Sequence, residues 1–309
     1  MLALVPGVAC AESYKDGNGG RQVVTSGESV TVENPTYSEY HVSGKGGVFY
    51  VESGAELNLT GAVDFSENYQ DEEVAEGVFY KFLNDVYLEN GAKLNISAEI
   101  AGDANMHIDT ESGAYWWIDG GVLEGVSMTS NTFSGCVADS FVSIENLDDT
   151  ATPSLTLEDV SLINSQILID PTVSVSASNL TLDASSYFNS FGGYVLLGGS
   201  NSMELEGLES YQLDGVTLGE GAALSFTLSA ESLEALADST VTVNFYGLSL
   251  EGEATFTAMS DEAASLQIVS YTTTDEGVSV TLSTIVPEPT TATLSFLALA
   301  ALVARRRRC

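Results

Sequence analysis

Two histidines, three cysteines and 44 carboxylates are the groups in this 309-residue chain that could carry chemistry. A hydrolytic triad or a two-histidine metal site would need His41 and His107 paired. No H-E-x-x-H, G-x-S-x-G or P-loop pattern occurs in the chain, so each histidine reads as a turn or surface residue. The carboxylates could supply an acid–base pair for glycoside hydrolysis, but nothing in their spacing selects two of them. A polysaccharide lyase would need Lys or Arg to neutralise a uronate, and no basic residue lies between Lys93 and Arg305. No catalytic residue, metal ligand or cofactor is therefore assigned, and the chain is expected not to be an enzyme. Asp16-Gly-Asn-Gly-Gly20 opens like a calcium loop but has Gly27 near the place of its last acidic ligand, and reads as a linker. Cys136 stands alone in the body, because Cys10 and Cys309 lie in terminal segments, so no disulfide framework is expected. Trp116 and Trp117 form the densest aromatic cluster. Adjacent residues on a strand point to opposite faces, so one ring should be core and the other exposed; the pair is the candidate contact for an extracellular polysaccharide.

Charge narrows the partners. The formal net charge is −35, and four of the nine basic residues are Arg305, Arg306, Arg307 and Arg308. Nucleic acid and anionic lipid surfaces are recognised by clustered cations, which the body lacks. Yet 44% of the residues are hydrophobic, enough to fold rather than remain an acidic disordered tail.

The two ends read as addresses. Residues 1–11 are apolar and finish in Ala9-Cys10-Ala11, the small-x-small pattern of signal-peptidase cleavage; this is expected to be the later part of a secretory signal. Lipidation at Cys10 is disfavoured by Gly7, where a lipobox carries Leu. At the other end, Val286, Pro287, Glu288 and Pro289 form an extended segment that cannot join a helix. An apolar stretch over residues 292–304 follows, with Leu294, Phe296, Leu297, Leu299 and Leu302, and then the four arginines as a cytoplasmic stop. As a helix at ~1.5 Å per residue the stretch reaches about 20 Å, short of a ~30 Å hydrocarbon core, which suits a transient anchor. This tripartite tail resembles the PEP-CTERM sorting signal of Gram-negative bacteria. The resemblance implies recognition of the Pro-Glu-Pro segment by an exosortase-type processing enzyme. It also implies an exported protein held briefly at the membrane by its tail, with the C-terminus inside.

Between the ends, short apolar–polar–apolar triplets recur, among them Val30-Thr-Val32, Leu57-Asn-Leu59, Leu94-Asn-Ile96, Leu155-Thr-Leu157 and Val278-Ser-Val280. Period-two alternation bounded by turn residues means an all-β chain. Phe49–Thr60 and Val86–Ser97 align without gaps, 37 residues apart, and Val216–Phe226 echoes them. Such strand–turn–strand repeats suit the rungs of a right-handed parallel β-helix, a solenoid in which each rung buries a few aliphatics against its neighbours. Gly46-Gly-Val-Phe-Tyr50, Phe65-Ser-Glu-Asn68 and Glu76-Gly-Val-Phe-Tyr80 resemble the repeats of chlamydial polymorphic outer-membrane proteins and autotransporter passengers, which implies the same fold. Phe65 is expected in the core and Asn68 in a left-handed turn.

The expected organisation is a partial signal peptide at 1–11, a β-helix-like region at 12–219, a small β sandwich or cap at 220–285 and the sorting tail at 286–309. The third unit should hold a helical turn at 229–237, capped by Ser229 or Ser232, and strands at 241–250, 254–258, 266–271 and 278–284. The function expected is that of a cell-surface or matrix protein with a structural or adhesive role, the alternative being a carbohydrate-binding or polysaccharide-degrading β-helix enzyme.

Overall fold

The computed structural model describes residues 21–38, 40–75, 78–147, 150, 152–205, 210–229, 240–260 and 266–284. Every regular element among them is a strand. The signal segment, the Asp16–Gly20 linker, the helical turn beyond Ser229 and the sorting tail lie outside the described residues. No helix among the described residues is long and apolar enough to cross a membrane.

The alternating triplets become strands that return to their own flank. First come β1 (Gln22–Val24), β2 (Ser29–Glu33), β3 (Thr36–Ser38) and β4 (His41–Ser43). Beside them in parallel lie β5 (Phe49–Val51), β6 (Glu56–Ser66) and β7 (Tyr69–Ala75), with Val24 opposite Val51, Val32 opposite Leu59 and His41 opposite Tyr69. A hairpin strand, β8 (Val78–Leu83), folds back on β7. Then β9 (Val86–Leu88) and β10 (Lys93–Thr110) set Val86 against Phe49 and Leu94 against Leu57. The 37-residue sequence repeat is thus the length of one pass of the chain.

Direction reverses twice at this point. β11 (Ala114–Thr129) runs antiparallel to β10, and both β12 (Thr132–Ala138) and β13 (Phe141–Asn146) run antiparallel to β11, which restores the original sense. The passes then shorten through β14 (Ser154–Ile163), β15 (Gln166–Ile169), β16 (Ser174–Ser178), β17 (Thr181–Leu182) and β18 (Tyr187–Asn189). They continue through β19 (Val195–Gly198), β20 (Ser200–Leu205), β21 (Tyr211–Gln212), β22 (Val216–Leu218) and β23 (Ala223–Leu228). Leu155, Val175, Val195 and Val216 are successive partners, 20, 20 and 21 residues apart. The last strands are β24 (Thr240–Tyr246), β25 (Ser249–Leu250), β26 (Thr255–Ser260), β27 (Leu266–Thr274) and β28 (Gly277–Thr284). They match the four strands expected there, the first of them divided at Gly247.

Twenty-one strands form one large sheet, most of whose pairings are parallel, and β21, β24, β28 and β27 form a smaller one. The boundary drawn at 219/220 falls between β22 and β23, both in the large sheet, which continues to β25 and β26. Phe226 of the large sheet meets Phe245 of the smaller one edge-on at 5.5 Å.

The core follows from alternation kept in register. Val30, Leu57, Leu94, Met128, Phe133, Leu157, Ala177, Leu197, Leu218 and Leu250 are successive cross-strand partners in one unbroken column. The eight inner members are buried and the two end members partly so. The reversed β11 keeps its place in the column because side chains alternate with period two whichever way a strand runs.

Turns stack as the strands do. Gly54 and Gly91 each carry a positive φ that an L side chain resists, and the following Ala55 and Ala92 are buried. Each turn is tied to the next by a glutamate. Glu52 accepts the Ser26 N–H at 3.0 Å, Glu89 the Ser53 N–H at 2.8 Å and Glu111 the Asn90 N–H at 2.8 Å. Glu89 also accepts the Tyr50 hydroxyl at 2.6 Å, and that bond together with the Ser53 amide holds its carboxyl below the usual range.

At another corner a buried serine ladder does the same work. Ser165 Oγ accepts the Ser140 N–H at 3.1 Å and donates to the Ile163 carbonyl at 2.8 Å, while Ser165 N–H donates to Ser186 Oγ at 3.1 Å. Ser165→Ala should lower stability by about 1–3 kcal/mol, because it takes the acceptor from a buried amide. A denaturant-unfolding midpoint equal to the wild type's would contradict this.

The Gly-Gly and Phe-x-x-Asn segments meet at one corner, and one expectation needs correcting there. Phe65 is core, 2% exposed. Asn68, however, is no left-handed residue; Glu67 takes that conformation at φ 55°. The Asn68 side chain is buried instead. It accepts the Tyr40 N–H at 2.9 Å and donates to the Tyr37 carbonyl at 3.0 Å and to Asp85 Oδ1 at 2.7 Å. Gly47 lies so close that a Cβ there would sit 2.0 Å from the Asn84 carbonyl oxygen.

Candidate functional site

The second halves of the longer passes present an outer face whose residues line up as the core column does. His107 of β10, Trp117 of β11, Ser143 of β13, Leu168 of β15 and Asn189 of β18 are successive partners. Two residues to one side runs a parallel row of Asn105, Asp119, Phe141, Gln166 and Tyr187. Alternation dictates this arrangement, since the intervening Met106, Ile118, Val142, Ile167 and Phe188 are buried.

Trp117 is 36% exposed and held from three sides. Its Nε1–H donates to Asn105 Oδ1 at 3.1 Å, His107 lies nearly parallel to it at 6.2 Å, and Phe141 meets it edge-on at 6.1 Å. Trp116 is fully buried and stacked on Phe133 at 5.0 Å. Of the two tryptophans named as candidate contacts, therefore, only Trp117 can meet a ligand; Trp116 has its back to the solvent because it is the next residue on the same strand.

Neither histidine is in a turn. His41 sits in β4, with its ring 4.3 Å from that of Tyr69. His107 sits in β10 with a side chain 12% exposed. Its Nδ1 lies 3.3 Å from Asp85 Oδ2, which also accepts its backbone N–H at 2.7 Å. A proton on Nδ1 would satisfy Asp85 and leave Nε2 as the acceptor. Tyr115, on the other side of His107, donates its hydroxyl to the Leu83 carbonyl at 2.6 Å, and burial raises its pKa so that it stays a donor. These bonds fix the face beneath Trp117. Among the described residues, no group of three or more His, Cys, Asp or Glu gathers in a metal-binding arrangement.

The far end of the face carries aromatic residues that the sequence reading passed over. Tyr187 is 37% exposed and its hydroxyl accepts Asn189 Nδ2 at 2.9 Å. Phe191 is 58% exposed at φ 49°, a conformation that a bulky side chain strongly disfavours. Its N–H donates to Asn189 Oδ1 at 2.7 Å, and Ser190 Oγ closes the turn on the Gly193 carbonyl at 3.0 Å. The available signal was Tyr187-Phe-Asn-Ser-Phe-Gly-Gly-Tyr194, a stretch dense in aromatics among turn residues.

Cations are scarce on the surface, and three of them lie over tyrosine rings: Arg21 over Tyr50, Lys45 over Tyr87 and Lys81 over Tyr69, at 5.1, 4.6 and 4.1 Å. The sorting motif Val286–Pro289 and the residues 292–308 of its anchor and stop lie outside the described residues. Compared with protein families, curated proteins and solved structures, the chain matches none.

Proposed function

We propose that the chain is an exported structural or adhesive protein of the cell surface or extracellular matrix, built as a right-handed parallel β-helix and sorted through its C-terminal tail. The observation that carries this reading is the unbroken column from Val30 to Leu250. Ten in-register residues at ~4.8 Å per strand give a rod roughly 40 Å long, which suits a spacer or scaffold better than a catalytic cleft. The −35 charge keeps such rods apart in solution and disfavours polyanionic partners. The tail supplies the address: Pro287-Glu288-Pro289 for an exosortase-type enzyme, the apolar stretch as a transient membrane stop, and Arg305–Arg308 to hold the C-terminus inside. No catalytic role is assigned.

The test is expression of the full chain in a Gram-negative host that carries an exosortase, with Glu288→Ala as the comparison. The wild type should reach the surface with its C-terminal segment removed, and the variant should remain membrane-bound and unprocessed. Recovery of the wild type from the cytoplasm with its arginine terminus intact would remove the surface assignment. Release of oligosaccharides or unsaturated products from a polysaccharide panel would overturn the non-enzymatic reading.

A further inference from the structure

We infer that the outer face running from Trp117 to Phe191 binds a linear, uncharged polysaccharide laid along the stack of strands. The inference rests on the rod-like architecture proposed above, but not on tail sorting.

Three features of the face point to this ligand. Aromatic rings recur along one direction, with Trp117 and Tyr187 exposed and Phe141 partly buried between them. Trp117, Phe141 and Tyr187 come from β11, β13 and β18, and β15 with Gln166 intervenes. From β11 to β18 is three strand spacings, about 14 Å at ~4.8 Å each, the length of a short oligosaccharide. Aromatic rings give a sugar's C–H surface an apolar platform, while its hydroxyls need polar partners at the rim. The rim has them: Asp119, Ser143, Gln166 and Asn189 lie in the same two rows.

Charge selects the class of glycan. No Lys or Arg occurs between Lys93 and Arg305, so an acidic polymer would meet carboxylates without a compensating cation. A neutral chain meets no such repulsion.

The backbone at Phe191 adds an independent argument. A phenylalanine at positive φ strains the chain, and this one spends that strain on holding its ring outward in solvent. Asparagine tolerates the same conformation. A residue kept for folding would not be phenylalanine there, whereas one kept for contact would.

The experiment titrates the purified full chain with cellohexaose, xylohexaose, mannohexaose and maltohexaose, with polygalacturonate as the anionic comparison, by isothermal calorimetry. At least one neutral hexasaccharide should bind and polygalacturonate should not. Trp117→Ala and Tyr187→Ala should each weaken binding about tenfold, as expected for aromatic anchors. Val122→Ala, an exposed change on the other half of β11, should leave binding unchanged. Phe191→Asn should also weaken binding while its melting temperature stays level or rises. Failure of all four neutral sugars to bind, or equal binding by wild type, Trp117→Ala and Tyr187→Ala, overturns the inference. Because the purified protein is used, a failure of surface sorting leaves this result unaffected.

Discussion

Trp116→Ala should destabilise the protein by about 3–5 kcal/mol, the usual cost of emptying a large aromatic site in a core, whereas Trp117→Ala should cost under about 1 kcal/mol as a surface change. The two residues are chemically identical and adjacent, so the difference isolates burial. Trp116 is fully buried, stacked on Phe133 and placed between Ile108 and Ile144 in the strand register. Its loss opens a void in the core, where neighbours on both sides are fixed by ladders and cannot collapse inward. Trp116→Phe should be far milder, because the indole N–H has no hydrogen-bond partner among the described residues and its removal relieves a buried donor. Urea-unfolding midpoints of the three variants check this. Equal losses for Trp116→Ala and Trp117→Ala would mean that the alternation across β11 is misassigned.

Asn68→Ala is expected to cost about 3 kcal/mol, the upper end of the range for taking a hydrogen-bond partner from a buried polar group. Asn68 donates to Asp85, which is 2% exposed, and also joins Tyr37 and Tyr40 of the preceding pass. The substitution removes a donor from a buried carboxylate and two ties between passes at once. Asn68→Asp keeps the shape but sets two carboxylates at a 2.7 Å contact, so it should be at least as damaging. Asp85→Asn removes the charge but must turn its NH2 toward either Asn68 Nδ2 or the His107 N–H, both of which donate to Asp85, so it too should lower stability. Thermal melts of the three variants give the order. If Asn68→Ala melts with the wild type, the corner does not hold the passes together.

Much of the strand pattern was legible because it is local. The triplet Leu57-Asn-Leu59 carries its own alternation, and burial of both leucines with Asn58 left at the surface follows from it. The aligned repeats announced a parallel return of 37 residues, and Leu57 does lie opposite Leu94. The reversal at β11 was not legible. Its residues alternate as any strand's do, and nothing in alternation records which way a strand runs. Asn68 shows the same limit at one residue: its type suits a turn, and a turn is what its neighbour Glu67 makes, but the partners that bury it come from Tyr37, Tyr40 and Asp85 on other passes. His107 likewise lacks any local sign of Asp85, which is 22 residues away in the chain and joined to it only by pairing.

Composition and alternation on their own determined that this chain is acidic, all-β and built from short repeated strands, because each of those is a property of a few consecutive residues or of their sum. Which residues share a face was decided only when the passes lay side by side. Register converts a distance along the chain into one strand spacing, and so brings Trp117, Phe141 and Tyr187 onto one surface while putting Trp116 out of reach.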